Sequence, residues 1–138
     1  MLSYSQKSSP ASVIIFMIII GIVMLRSYAV FVSPLQLSVD EAQYWLWSLT
    51  PDAGYFTKPP MIAWVISIGT SLAGSAESGV RIMAPVLHGI TALVLWRLAA
   101  YLYHPAAGRL AALGWIFLPA VGLASIVMST DTPLLLFT

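Results

Sequence analysis

Four charged residues have side chains suited to acid–base or phosphate-binding chemistry, in a chain of which only 8% of residues are charged. Asp40 and Glu41 are adjacent, Lys58 precedes two prolines, and Asp131 lies near the end of the sequence. A carboxylate can act as a general base. The ammonium group of a lysine can bind a phosphate as a point charge, for example a lipid phosphate if the lysine lies at the level of membrane headgroups. Whether these groups act together depends on the elements that position them.

Each of these residues also has an ordinary structural explanation. Asp40 and Glu41 would stabilise the dipole of a helix that begins beside them. A lysine in the position of Lys58 commonly snorkels at a membrane boundary, or pairs with a carboxylate such as that of Asp52 or Glu41. Asp131 has the pattern of an N-cap for a further helix, which does not exclude a second role.

The acidic pair lies at the start of a predicted surface helix. The segment Ser38-Val39-Asp40-Glu41 matches the capping-box pattern, with serine at the N-cap and glutamate three residues later. This pattern predicts a short helix through about Leu49, on which Tyr44 and Trp47 share the face of Asp40. A helix with these aromatic side chains should lie on the membrane surface, at the level of the headgroups.

The composition predicts an integral membrane protein. Hydrophobic residues make up 59% of the chain, and the charged fraction is far below the roughly 25% of an ordinary soluble domain. The net charge is +1 and no block of basic residues exists, which excludes nucleic acid as a partner. The absence of cysteine excludes disulfides, thiolate metal sites and cysteine nucleophiles.

Apolar stretches set the predicted architecture. Residues 13–32, 80–102 and 109–128 each reach the roughly 20 residues that cross a hydrocarbon core of about 30 Å. The stretch 61–73 is shorter and typical of a re-entrant or interfacial helix, and a further helix is predicted to begin after residue 131. The sequence thus predicts an all-α multi-span membrane bundle with an outer loop at 33–60, and we expect it to be the N-terminal portion of a longer membrane protein.

Charge distribution predicts the orientation of this bundle. Lys7 places the N-terminus on the cytoplasmic side, and the basic residues around the connection between the second and third spans place that connection there too. The chain must then cross the membrane an even number of times between Lys7 and this connection. The spans 13–32 and 80–102 already supply two crossings, so 61–73 dips into the membrane and returns to the same side. Asp40, Lys58 and Asp131 all lie at the outer face in this arrangement. If 61–73 crosses instead, Asp131 lies on the opposite side from Asp40.

Four further polar residues fall within the predicted spans. Arg26 is costly in the first span unless it faces the bundle interior or snorkels outward, and the sequence leaves both alternatives open. Arg81 and Arg97 lie near the ends of the second span and have the positions of interface anchors. His88 has no second ligand at metal-binding spacing, which favours a polar helix contact.

The order of short motifs resembles a known family. After an N-terminal span the chain carries Asp40-Glu41-Ala42-Gln43-Tyr44-Trp45, then Gly54-Tyr55-Phe56-Thr57-Lys58-Pro59-Pro60, then Arg81, then Thr130-Asp131-Thr132-Pro133-Leu134. In this order the motifs resemble those of polytopic glycosyltransferases with the C-type fold. The chain is most similar to the bacterial branch of the dolichyl-phosphate-mannose protein mannosyltransferase superfamily, which includes the aminoarabinose transferase that acts on lipid A.

The resemblance implies an enzyme of the bacterial cytoplasmic membrane. It would transfer a sugar from a polyprenyl-phosphate donor to lipid A, another glycan or protein, at the outer face and with inversion. By resemblance, Asp40 is the catalytic base, Glu41 its neighbour in the acidic pair, and Asp131 the second acidic residue of the site. The contacts implied for the donor phosphate are Lys58, Tyr55 and Arg81.

Several alternatives remain open from the residues alone. Asp131 could orient the acceptor or hold a divalent cation. In the aminoarabinose branch an acidic residue precedes the lysine, whereas this chain has Thr57 there.

Two other functional hypotheses remain. One is a secondary transporter or channel segment with Arg26, His88 and Asp131 along its path, and the other is a non-catalytic membrane remnant. The long outer loop and the two prolines after Lys58 favour the enzyme.

Overall fold

The computed structural model describes residues 10–55 and 58–137, and every regular element in this part of the chain is a helix. In chain order the helices are α1 (Pro10–Val32), α2 (Val39–Ser48), α3 (Met61–Ala73), α4 (Glu77–Arg81), α5 (Met83–Leu102), α6 (Pro105–Phe117), α7 (Pro119–Ala124) and α8 (Asp131–Phe137). The predicted all-helical class is confirmed.

Two helical runs are long and apolar enough to cross a membrane. They are α1, with 23 residues, and the run Glu77–Leu102, in which α4 continues through Ile82 into α5. Large apolar side chains such as Met17, Met24 and Leu25 are exposed along α1, as expected for a helix in contact with lipid. Two of the three predicted spans therefore correspond to helices of sufficient length.

The third predicted span is not a continuous helix. The structure divides residues 109–128 between α6 and α7, with Leu118 in an extended conformation (φ −61°, ψ 125°) at the break. The reason is Pro119, whose ring disfavours the helical conformation of the preceding residue and which has no N–H to donate. Hydropathy alone overlooked this break, since Leu118 and Pro119 do not interrupt the apolar character of the stretch.

The local structure of residues 33–81 agrees with the sequence in two respects, the capping box of α2 and the bounds of α3. Ser38 accepts a hydrogen bond from the Glu41 N–H, and the Glu41 carboxylate accepts one from the Ser38 N–H, so the predicted capping box is confirmed. The short apolar segment forms α3 with the predicted bounds, Met61–Ala73. A core cluster packs α2, α3, α4, α5 and the segment before α8 together through Tyr44, Ile62, Ile66, Val80, Ala84, Leu87 and Met128.

Both ends of α3 lie beside neighbouring elements of this segment. At its start, the Trp64 Nε1–H donates to the Asp52 carbonyl at 3.0 Å. At its end, α3 turns back through Gly74 (φ +85°) and meets Gly79 so closely that a Cβ on Gly79 would clash with the Gly74 carbonyl oxygen. Only glycine fits this approach, and Gly79 stands two residues before Arg81, so the end of α3 lies beside the turn that carries Arg81.

A second core cluster joins α1, α5 and α6 through Ile15, Ile19, Ala92, Ala112 and Ile116. Gly89 of α5 lies against Val23 of α1, and Gly108 of α6 lies against the Trp96 carbonyl of α5, so small residues let these helices approach closely. Successive long helices run in opposite directions. The end of α1, the end of α4 and the segment between α7 and α8 consequently lie at one end of the bundle.

Candidate active site

A buried ion pair organises this end of the bundle. Arg81 donates from Nε to Oε1 of Glu41 and from a terminal nitrogen to Oε2, both at 2.7 Å. The two side chains are only 4% and 1% exposed. This bidentate arrangement is the geometry in which an arginine–carboxylate pair is strongest, and it joins the start of α2 to the end of α4.

Glu41 also accepts two backbone hydrogen bonds. Its Oε2 accepts the Ser38 N–H at 3.0 Å and its Oε1 accepts the Met128 N–H at 3.0 Å. Burial raises the pKa of the Glu41 carboxyl, but the hydrogen bonds from Arg81, Met128 and Ser38 lower it by more, so the pKa lies below its ordinary value. The ionised carboxylate is therefore the stable form, and it ties the segment before α8 to the outer loop.

Arg81 uses its remaining donors on the outer loop. Its terminal nitrogens donate to the carbonyl oxygens of Leu35 at 2.8 Å and of Gln36 at 2.9 Å. Arg81 has the position of an interface anchor in the sequence, and in the structure its side chain is buried because Glu41 and the chain after α1 fold over it. The sequence signal for this pair was the scarcity of charge: a carboxylate and an arginine buried in an apolar chain need each other.

Asp40 and Asp131 are both exposed at the same end. Asp40 precedes Glu41 in the first turn of α2. Asp131 stands three residues after Met128, and the Met128 N–H donates to the Glu41 carboxylate. Asp131 is the first residue of α8 rather than the residue before it. Neither carboxylate forms an ion pair within 10–55 and 58–137. The structure thus brings to one end two acidic groups that are separated by most of the chain.

Tyr55 closes the turn that leads to Lys58. Its ring stacks on Trp47 with centroids 4.8 Å apart and planes at 12°. Its hydroxyl lies 2.9 Å from the Trp47 carbonyl and 3.2 Å from the Thr50 carbonyl, and it accepts the Asp52 N–H at 3.0 Å. The single hydroxyl proton is therefore shared between two backbone acceptors, so the geometry favours a structural role for Tyr55 over contact with a phosphate.

Lys58 is exposed just after this turn. In the described part of the chain it pairs with neither Asp52 nor Glu41, the two partners that the sequence left open. Its ammonium is available to an anion outside the chain. Phe56 and Thr57 lie outside the described residues, and with them the position at which this sequence departs from the aminoarabinose branch.

Arg26 and His88 face the bundle interior, whereas Arg97 is exposed. Arg26 donates to the Ile116 carbonyl at 2.7 Å and to the Ser125 hydroxyl at 3.1 Å, so it faces the bundle interior rather than snorkelling outward. His88 of α5 is 1% exposed, and its ring lies 5.9 Å from that of Trp115 of α6. No three His, Asp or Glu side chains of the described residues come together as metal ligands would.

Comparison with known proteins decides the family. The family model described as dolichyl-phosphate-mannose-protein mannosyltransferase matches residues 57–138, more than half of the chain. The chain belongs to this family. The matched residues of this mannosyltransferase-family chain include Lys58, Arg81 and Asp131, whereas Asp40 and Glu41 lie before the matched range.

The chain is also similar to a curated relative, the lipid A galacturonosyltransferase RgtD of Rhizobium johnstonii. The two are 41% identical over 122 residues, which are 88% of this chain and 26% of the relative. The mannosyltransferase-family chain therefore spans about a quarter of the length of this relative. No solved structure matches the chain.

Proposed function

We propose that the full chain carrying this sequence is a glycosyltransferase that moves a sugar from a polyprenyl-phosphate donor to an acceptor at the outer face of the bacterial cytoplasmic membrane. The observation that carries the proposal is the hydrogen bond from Met128 to the buried Glu41. Through it, Asp40 and Asp131 lie at one end of a membrane bundle, and both are exposed. Family membership supplies the class of reaction.

Asp40 is the proposed catalytic base. A sugar on a phosphate already has a good leaving group, so the remaining tasks are to deprotonate the acceptor hydroxyl and to neutralise phosphate charge. Inversion needs one carboxylate on the face opposite the leaving group, by analogy with inverting glycoside hydrolysis. Asp40 is exposed and has no ion-pair partner among the described residues. It lies in the capped first turn of α2, beside the buried Glu41.

Lys58 is the proposed contact of the donor phosphate, since a cation there stabilises the charge that develops as the sugar–phosphate bond breaks. Asp131 is proposed to orient the acceptor, with a divalent cation as the alternative. Glu41 and Arg81 are better suited to positioning than to contact with substrate, because each is buried and bonded to the other and to backbone groups. Tyr55 supports the turn before Lys58.

Contacts at this end of the bundle support the proposed membrane arrangement. Both ends of α3 lie against the outer segment, and Asp40 and Asp131 share one end of the bundle. These contacts favour the version in which 61–73 returns to the side it entered from, and in which 33–81 and the segment before α8 face the periplasm. Similarity to a lipid A galacturonosyltransferase favours lipid A as the acceptor over another glycan or protein.

The test is Asp40→Asn in the full chain, with sugar transfer measured in membranes. The variant keeps the shape of the side chain and removes the base, so the transfer rate should fall by about 10²-fold or more. Asp52→Asn is the matched control: Asp52 is an exposed acid of the same outer loop, and asparagine can still accept the Ala53 N–H, so transfer should persist. Unchanged transfer by Asp40→Asn would reject the proposed base, and a lack of transfer by the unaltered chain would favour the non-catalytic remnant.

A further inference from the structure

The break between α6 and α7 leaves a backbone carbonyl without its helical partner. In a continuous helix the Ile116 carbonyl would accept the Ala120 N–H. The extended Leu118 and the following Pro119 end this ladder, and the Leu118 N–H bonds instead to the Trp115 carbonyl at 3.2 Å. Ile116 is fully buried. Because a buried carbonyl without a partner is costly, this break requires a donor from elsewhere in the bundle.

Arg26 of α1 is that donor, and it reaches both sides of the break. One terminal nitrogen donates to the Ile116 carbonyl at the end of α6, at 2.7 Å. The other donates to the hydroxyl of Ser125, just after α7, at 3.1 Å, and this hydroxyl in turn bonds to the Val121 carbonyl. One guanidinium thereby connects α1 to both halves of the broken helix.

The segment that Arg26 holds leads directly to Asp131. Ser125 is 0% exposed, Met128 is held by Glu41 three residues later, and Asp131 follows after three more. Besides the packing of Met128 in the core, hydrogen bonds therefore connect the stretch 125–131 to α1 through Arg26 and to α2 through Glu41. Its path, and the position of Asp131 relative to Asp40, depends on both.

We propose that Arg26 is a positioning residue, which sets the place of Asp131 by bridging the discontinuity between α6 and α7. No carboxylate of the described residues pairs with Arg26, and both its acceptors are uncharged groups of the broken segment. The two hydrogen bonds to this segment account for the presence of an arginine in an apolar span. The structural part stands by itself, whereas the effect on transfer rests on the proposed function.

The structural part is tested by a distance measurement in the full chain that needs no activity. Spin labels are placed by Val39→Cys in α2 and Leu135→Cys in α8; both positions are exposed, and the present sequence contains no other cysteine. Arg26→Gln should broaden or shift the distribution of distances between the labels. Arg97→Gln removes an exposed arginine of α5 and should leave the distribution unchanged. An unchanged distribution in folded Arg26→Gln would overturn the proposal.

The functional part is tested by a double-mutant cycle. Arg26→Gln should lower the transfer rate by about tenfold or more, because the glutamine side chain is too short to place its amide at the break. Arg26→Lys should recover part of the rate, because lysine is longer and keeps a donor but cannot form both bonds in the same geometry. If Arg26 acts through Asp131, adding Arg26→Gln to Asp131→Asn should lower kcat and kcat/KM little beyond Asp131→Asn alone.

The outcomes separate this proposal from the proposed function. Fully multiplicative losses in the cycle would show that Arg26 does not act through Asp131. An altered label distance together with unchanged transfer in Asp40→Asn would retain Arg26 as the structural bridge and reject the proposed base. Normal label distances in Arg26→Gln together with lost transfer in Asp40→Asn would reject Arg26 as the structural bridge and retain Asp40 as the base.

Discussion

At the scale of single residues, adjacent positions have different tasks. Asp40 is exposed and Glu41 is 1% exposed, although both lie in the first turn of α2. The helical turn of about 100° between neighbouring residues points one carboxylate outward and the other into the bundle. An acidic pair that looks uniform in sequence is therefore divided into an exposed carboxylate, the proposed base, and a buried carboxylate that connects distant segments.

Lys58 provides a prediction at this scale. Lys58→Met should raise the donor KM or lower kcat/KM by about tenfold or more, because a hydrogen bond to a charged group contributes about 1.5–3 kcal/mol. Stability should change little, since the side chain is exposed and forms no ion pair with the described residues. Kinetics at varied donor concentration and thermal unfolding in detergent measure the two effects.

Lys58→Arg is the control for charge, and it should retain part of the donor affinity. Lys7→Met removes the other lysine of the sequence, which is predicted to lie on the cytoplasmic side, and should leave the donor KM unchanged. Equal effects of Lys7→Met and Lys58→Met would contradict a specific phosphate contact at Lys58.

At the scale of elements, the Glu41–Arg81 pair connects parts that are distant in sequence. It joins α2 to α4, to the link after α1 and to the segment before α8. Removing one partner leaves the other charge buried without compensation, which costs about 3–5 kcal/mol. The stability of this end of the bundle should therefore depend on the Glu41–Arg81 pair more than on any exposed charge.

Single and double leucine variants test this dependence. Glu41→Leu and Arg81→Leu should each lower the free energy of unfolding by about 3–5 kcal/mol, and the double variant should lose less than the sum of the two. Glu77→Gln, which removes an exposed acid of α4, should change it by less than about 0.5 kcal/mol. Additive losses in thermal unfolding would show that the two charges do not depend on each other.

The same pair predicts an acid sensitivity. Because the pKa of Glu41 is lower in the folded protein than its ordinary value, its contribution to stability is complete above the ordinary glutamate pKa of about 4.3. The contribution is lost as pH falls through the lower folded value, when the carboxylate takes up a proton. Glu41→Leu should lose this part of the pH dependence, and a pH series of unfolding curves measures it.

At the scale of the whole molecule, the contacts at one end predict which loops share a side of the membrane. Asp131 is tied through Met128 to the outer loop, whereas the connection at Tyr103 and His104 lies at the other end of α5. A periplasm-active reporter attached after Asp131 should be active, and one attached after His104 should be inactive. A cysteine at Ala76 should react with an impermeant thiol reagent applied from the periplasm.

The opposite result would locate the error. Cytoplasmic placement of the reporter after Asp131, with Ala76 still periplasmic, would separate Asp131 from Asp40 and remove it from the proposed site. Protection of Ala76 from the outside would show that residues 61–73 cross the membrane.

Local patterns were sufficient for much of this protein. Composition determined the helical membrane class, the capping box determined the start of α2, and the length of the apolar run determined α3 with its bounds. The order of four short motifs was enough to indicate the family. These features follow from interactions within a few residues or from the summed preference for lipid over water, so they can be read along the chain.

Only the tertiary structure decided which distant groups meet. The partner of Glu41 lies forty residues away and that of Arg26 about ninety or more, and no periodic pattern specifies such pairs. The break at Leu118 follows from Pro119, but the donor that makes it tolerable comes from another helix. Burial then makes these pairings obligatory, because in an apolar bundle a charge or carbonyl without a partner is too costly to keep.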